Sequence, residues 1–173
     1  AILAVGSAPL VPPIPGIEHA VQALQVYDQD TVLGERIVMV GGGLVGCETG
    51  LHLAKTGHDV TVVEMLGRVA NESFGMYREA LLLEMERTGV TALTNTTCVS
   101  ITPTGIRVKN SDGAESMLEA DTVVYSLGMC PNSTSGLEAA LGDTPFAAIG
   151  DCVRAGQVDA AVKEGFLAAM NIL

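Results

Sequence analysis

Apolar residues fall into short runs divided by glycine and proline clusters, and the spacing inside each run predicts its element. Ala1–Gly6 reads as a short buried strand. Ser7–Gly16 holds Pro9, Pro12, Pro13 and Pro15; proline has no N–H for a helix interior or a central strand, so this stretch is a linker or crossover. Arg36–Val40 is an apolar run ending at Gly41-Gly42-Gly43. Leu44 to about Thr56 predicts a helix stopped by Gly57. Asp59–Glu64 is rich in β-branched residues and predicts a strand. Gly75–Thr88 predicts a second helix, with Met76, Ala80 and Leu83 at i, i+4 and i+7, widened by Tyr77, Leu81 and Met85. Val90–Leu93 predicts a third short strand. From Thr96 to Leu118 the pattern alternates, broken at Pro103-Thr104-Gly105 and Ser111-Asp112-Gly113, which predicts a small antiparallel meander. Thr122–Leu127 and Phe146–Ile149 predict further strands, the second closed by Gly150-Asp151. Val158–Leu173 predicts an amphipathic closing helix, apolar at Ala161, Val162, Phe166 and Ala169.

The order strand, glycines, helix, strand from Arg36 to Glu64 is a βαβ unit, whose parallel strands need a crossover helix. Its first turn, Gly41-Gly42-Gly43-Leu44-Val45-Gly46, matches GxGxxG. Gly41 permits the tight strand exit, Gly43 lets a pyrophosphate approach the backbone, and Gly46 lets the helix pack close to the sheet. Gly50 extends that close approach. The helix N-terminus offers free N–H groups and a positive dipole end to phosphates. Glu64 ends the next strand about 20 residues on, where a carboxylate accepts ribose hydroxyls. A ribose 2′-phosphate there meets like charge, so Glu64 favours NAD(H) over NADP(H), with Arg68 the one group able to soften the preference. Glu48, Glu79, Glu84 and Glu86 read as solvated helix acids. His19, His52 and His58 share no metal spacing, and no metal ligands are expected.

Charge and composition narrow the partners. The 173 residues include 20 Asp+Glu against nine Lys+Arg, a formal charge of −11. That balance argues against nucleic acid and against an anionic membrane surface. It does not oppose a phosphate-bearing cofactor bound through backbone N–H groups. Mean hydropathy is positive, at +0.39, yet no run approaches the roughly 20 apolar residues of a spanning helix. No secretory signal pattern stands at the N-terminus. The chain starts inside an apolar run without Met, which suggests a piece of a longer protein. Cys47, Cys98, Cys130 and Cys152 form no CxxC or Cys/His cluster, and buried free thiols in a reducing cytoplasm are expected. With three Tyr, three Phe and no Trp, few rings exist to sandwich a flavin. The fold class expected is α/β: a Rossmann-like parallel sheet with helices and a small antiparallel meander.

Four motifs in order carry a family resemblance: Met39-Val-Gly-Gly-Gly-Leu-Val-Gly-Cys-Glu48, Val62-Val-Glu-Met65, Asp121-Thr-Val-Val-Tyr-Ser-Leu-Gly-Met-Cys-Pro-Asn132 and Ala148-Ile-Gly-Asp-Cys152. Together they resemble the flavoproteins with two dinucleotide-binding domains. More narrowly, Cys47-Glu48, Val124-Tyr-Ser-Leu-Gly128 and Lys163-Glu-Gly-Phe-Leu-Ala-Ala-Met-Asn171 resemble the C-terminal part of the old-yellow-enzyme-type NADH:flavin oxidoreductases, the 2,4-dienoyl-CoA and 2-enoate reductases. The resemblance implies an FAD-domain edge and linker over 1–30, an NAD(H)-binding domain over 31–130 and a return into the FAD domain over 131–173. It implies NADH contacts at Gly41, Gly43, Leu44, Val45, Gly46, Glu64, Met65, Leu127 and Gly128. It implies FAD contacts at Gly150 and Asp151 in the full-length protein, with the helix after Asp151 pointing its N-terminus at the FAD. A plain capping role for Asp151 is the competing reading. FMN and an iron–sulfur cluster belong to the parent's other domains, not to this chain. The implied parent passes hydride from NADH to FAD and reduces an activated C=C bond in a separate domain. No catalytic residue is expected here, and the isolated chain is expected to be inactive and to hold FAD weakly or not at all. The partners implied are NADH and the rest of the parent chain, with self-association left open. A disulfide-reductase or NADH-oxidase flavoprotein, a methyltransferase and a non-enzymatic nucleotide sensor stay open as alternatives.

Overall fold

The computed structural model describes residues 1–171. In chain order it holds β1 (Ile2–Leu3), β2 (Ser7–Pro9), β3 (Val21–Gln22), β4 (Arg36–Val40), α1 (Leu44–Lys55), β5 (Asp59–Val63), α2 (Gly75–Arg87) and β6 (Thr91–Leu93). There follow β7 (Thr96–Thr102), β8 (Gly105–Asn110), β9 (Glu115–Glu119), β10 (Thr122–Tyr125), β11 (Met129–Pro131), α3 (Ser135–Leu141), β12 (Ala147–Ala148) and α4 (Val158–Met170). The last two positions of the expected closing helix lie outside the described residues.

Two compact units divide the chain: Val11–Leu127, and Ala1–Leu10 with Gly128–Leu173. In the larger unit five strands form one sheet in the order β3-β10-β4-β5-β6. Every pairing in it is parallel. That arrangement is the mixed α/β, Rossmann-type fold read from the βαβ pattern. Ile37, Met39, Val60, Val62 and Val124 are buried on one face with Cys47 and Leu53 of α1. Val38, Val40, Val63 and Val123 face the other way and are buried with Ile101, Ile106 and Val108 of the meander. Strands covered on both faces are why β4 and β5 read as continuous apolar runs rather than alternating ones. The meander is the three-stranded antiparallel sheet β7-β8-β9. Arg36, at the start of β4, ties it to the sheet: Nη1 donates to Glu119 Oε2 at 2.7 Å and Nη2 to Asp121 Oδ1 at 2.8 Å. The Arg36 hydrogen bond holds the Asp121 carboxyl down at about 2. This network is exposed, so its contribution to stability is small.

Segment 11–30, read as an edge of another domain, groups with the larger unit. β3 pairs with β10, and Ala23 and Val26 are buried in the same core as α1. Two-residue strands and single-turn helices carry too little periodicity to be read from sequence.

The buried face of α2 is narrower than the expected one. Met76 is 91% exposed and Leu83 is exposed too, as is Ala80. The buried residues of α2 are Leu81 and Met85. Leu81 and Met85, at i and i+4, are apolar and share one side of the helix, and packing against α1 buries that side alone. Replacing Met85 with Ala is expected to cost about 2–5 kcal/mol, while Met76→Ala changes stability by under ~0.5 kcal/mol. Urea unfolding followed by circular dichroism measures both. Equal losses would contradict the assignment of faces.

In the smaller unit β1 pairs with β12 in parallel, and β2 pairs with β11 antiparallel. The first strand is shorter than the run Ala1–Gly6, and of that run only Leu3 is buried. Phe146, expected inside a strand, is exposed and precedes β12. On α4 the expected apolar face, Ala161, Val162, Phe166 and Ala169, is exposed. Among the described residues no helix is long and apolar enough to cross a membrane.

Candidate dinucleotide-binding site

The turn between β4 and α1 is built by what its glycines lack. Gly41 has φ 103°, a left-handed value that strains any side chain. A Cβ there would lie 2.2 Å from Ser126 O and 3.0 Å from Leu127 Cδ2. Gly46 stands in the first turn of α1, where a Cβ would lie 2.0 Å from Gly41 O. Helix and strand exit therefore touch backbone to backbone. Gly43 is different: a Cβ would meet nothing within 4 Å. Gly43 is also the N-cap of α1 and brings no side-chain acceptor. The first N–H groups of the helix, at Leu44, Val45 and Gly46, thus keep the free donors of a helix start. Open space beside uncapped donors is what an anionic group needs at this place.

The middle glycine has a role that sequence reasoning missed. A Cβ on Gly42 would lie 2.8 Å from Glu64 Cβ and 2.8 Å from Val69 Cγ1. Without it Glu64 folds inward and is 8% exposed. Its Oε2 accepts the Gly42 N–H at 2.8 Å, and its Oε1 accepts the Leu66 N–H at 2.7 Å. Glu64 is therefore not a solvated strand-end acid. Met65 and Leu66 beside it are exposed. Arg68 is exposed as well. The middle glycine of the triplet was the one sequence signal for this packing.

The structure gathers Gly41, Gly43, Leu44, Val45, Gly46, Glu64, Met65 and Leu127 in the larger unit, at the carboxyl ends of β4, β5 and β10. Ligands bind at that end of open parallel sheets. Leu44 packs on the core, whereas Val45 is exposed. Cys47 is buried and donates from Sγ to Gly42 O at 3.3 Å. Burial pushes its thiol up to about 11, which makes it an inert packing group rather than a nucleophile. Cys98, Cys130 and Cys152 are free as well, and Cys130 is exposed.

Gly128, Gly150 and Asp151 belong to the smaller unit. Asp151 lies in a single-turn 3-10 helix, Gly150–Cys152. Its Oδ2 accepts from Ser7 Oγ at 3.2 Å, and its Oδ1 accepts the Gly156 N–H at 3.1 Å. α4 starts only at Val158 and takes Gln157 as N-cap. Asp151 thus fastens the intervening loop and does not cap α4. The helix does not follow directly on the aspartate, because the loop closed by Gly156 stands between them.

The histidines and helix acids take structural partners. His52 rests against the Tyr27 ring at 5.0 Å, and His58 Nδ1 lies 2.8 Å from Gly34 O. Glu48 accepts from the Tyr77 hydroxyl, and Glu84 pairs with Lys55 and Arg87. Among the described residues no three His, Cys, Asp or Glu side chains could hold a metal ion.

The comparison with known proteins matches this geometry. A family profile described as pyridine nucleotide-disulphide oxidoreductase covers residues 1–144. The chain belongs to that family. Its members' flavin-dependent NAD(P)H oxidoreductase chemistry is thereby the chemistry of the family of this chain. The chain is 37% identical over 177 residues to a bilirubin reductase of Mediterraneibacter gnavus, covering 99% of this chain and 27% of that protein. It is 34% identical over 183 residues to an NADH oxidase of Thermoanaerobacter brockii, again covering 99% and 27%. A solved 2-naphthoyl-CoA reductase superposes with a TM-score of 0.87 at 24% identity, over 99% of this chain and 26% of that one. The chain spans about a quarter of the length of each of these.

Proposed function

We propose that this chain is the NADH-binding part of a flavin-dependent oxidoreductase, delivering hydride from NADH to an FAD for reduction of an activated C=C bond in a separate domain. The observation that carries this reading is the open space at Gly43, beside uncapped helix donors, with Glu64 ending the next strand. In the oxidoreductase reading NADH supplies a hydride from its nicotinamide ring, and the protein supplies orientation. The N–H groups of Leu44, Val45 and Gly46 bind the pyrophosphate. Met65 flanks the adenosine, and Leu127 and Gly128 border the nicotinamide half. Glu64 retains acceptor capacity on each oxygen beyond its single backbone partner, enough for ribose hydroxyls, and its charge favours NAD(H) over NADP(H). Val11–Leu127 forms the NAD(H) domain, while Ala1–Leu10 and the return segment adjoin FAD, the return segment through Gly150 and Asp151. FMN and an iron–sulfur cluster belong elsewhere in the longer protein. The free cysteines accord with a cytoplasmic setting.

The NADH oxidase among the relatives favours a second reading, in which dioxygen takes the electrons. Anaerobic addition of NADH to the whole protein separates the readings. We expect the flavin to bleach and an added enoate to restore its colour. Recolouring by dioxygen alone supports the oxidase. NADH bound without any bleaching contradicts both and leaves a nucleotide sensor.

A further inference from the structure

We propose that Glu64 is the fastener of the phosphate-binding turn, a positioning residue in addition to its contact with ribose; this rests on the NADH reading of the turn. The carboxylate bonds two separate segments. One oxygen takes the N–H of Gly42, inside the turn, and the other takes the N–H of Leu66, in the loop after β5. The backbone of Glu64 is itself fixed, its N–H donating to Leu93 O at 2.9 Å and its carbonyl accepting from Thr96 N at 2.9 Å. A carboxylate on an anchored strand end thus holds two irregular segments at once.

The same two segments are joined a second time. Gly42 O accepts the Ala70 N–H at 2.7 Å and the Cys47 thiol at 3.3 Å. Both polar groups of the Gly42 peptide are therefore taken. Ala70 adopts φ 49° and is fully buried, a conformation that an alanine holds only when its surroundings impose it. Arg78 Nε holds the neighbouring carbonyl of Val69 at 3.0 Å. The loop is shaped to meet Gly42, and Glu64 closes the opposite edge.

Two roles for Glu64 predict different outcomes. An acid that serves only to repel a 2′-phosphate would, on losing its charge, admit NADPH more tightly. A fastener loses the ordered turn that every dinucleotide needs, and ordering it on binding weakens affinity. Glu64→Gln keeps shape but turns one acceptor into an N–H donor facing a backbone N–H. Hydrogen bonds to charged groups are strong enough for an effect of about tenfold. We expect Glu64→Gln to bind both NADH and NADPH about tenfold more weakly, by calorimetry. Amide exchange at Gly42 or Leu66 should rise by a similar factor, while Met39 and Val62 in the sheet keep their protection. Tighter NADPH binding by the variant, or unchanged exchange at both amides, overturns the proposal. So does rapid exchange of Gly42 and Leu66 in the unmodified chain, a measurement that stands even if the variant fails to fold. Absence of NADH binding to the unmodified chain contradicts the cofactor reading instead, and the exchange rates still decide the fastener.

Discussion

Gly46→Ala is expected to abolish NADH binding and to destabilise the chain by about 3 kcal/mol. Alanine is the better helix former, by about 1 kcal/mol. The steric term wins, because the new methyl would lie 2.0 Å from Gly41 O, a backbone atom that cannot rotate away. α1 must lift from β4, and the buried contacts of Cys47 and Leu53 weaken with it. Gly43→Ala is the control. Gly43 has φ −64° and open space around it, so the methyl fits the free protein without strain. It occupies the space assigned to pyrophosphate, and affinity for NADH should fall by roughly tenfold or more while the unfolding midpoint stays put. Urea melts and calorimetric titrations of the two variants separate a defect of fold from a defect of site. An intact fold in Gly46→Ala, or full NADH affinity in Gly43→Ala, would contradict this account of the turn.

Gly16→Ala is expected to cost about 2–4 kcal/mol. Gly16 has φ 83°, where alanine is disfavoured by about 1–2 kcal/mol. A Cβ there would lie 1.9 Å from Ile101 O. Ile101 N also donates to Pro15 O at 2.8 Å, so the proline-rich segment docks on β7. Ile14 and Ile17 pack against the core that holds Ile101 and Ile106. The substitution should free this segment and expose the meander's inner face, read as dye binding and a lowered midpoint. A silent substitution would mean that segment 11–20 does not belong with the larger unit.

These two sites also show what was legible from the chain alone. The βαβ unit was readable because a buried strand, a glycine turn and a helix each leave a strong local mark. β4 runs over Arg36–Val40 as expected, and α1 starts at Leu44. The meander was readable because two turn sequences divide an alternating stretch, with β7 before the first, β8 between them and β9 after the second. β3 and β11 left no such mark, since strands of two or three residues are made by their partners, and the two turns of α3 are too few to show a helical period. The buried face of α2 was drawn too wide: Leu81 and Met85 are buried as expected, but Met76 and Leu83 are as apolar as they are and face solvent. Only the position of α1 decides between them. Within the site, the jobs of Gly41 and Gly46 followed from the motif. The partners of Glu64 did not, because a carboxylate accepting backbone N–H groups has no sequence signature. Asp151 likewise gave its position but not its bonds to Ser7 and Gly156.

Calorimetric titration of the chain with NADH, NADPH and FAD tests the central claim most directly. The account predicts one NADH bound per chain, more tightly than NADPH, with FAD bound weakly or not at all. Tight FAD binding with no heat from NADH would contradict it.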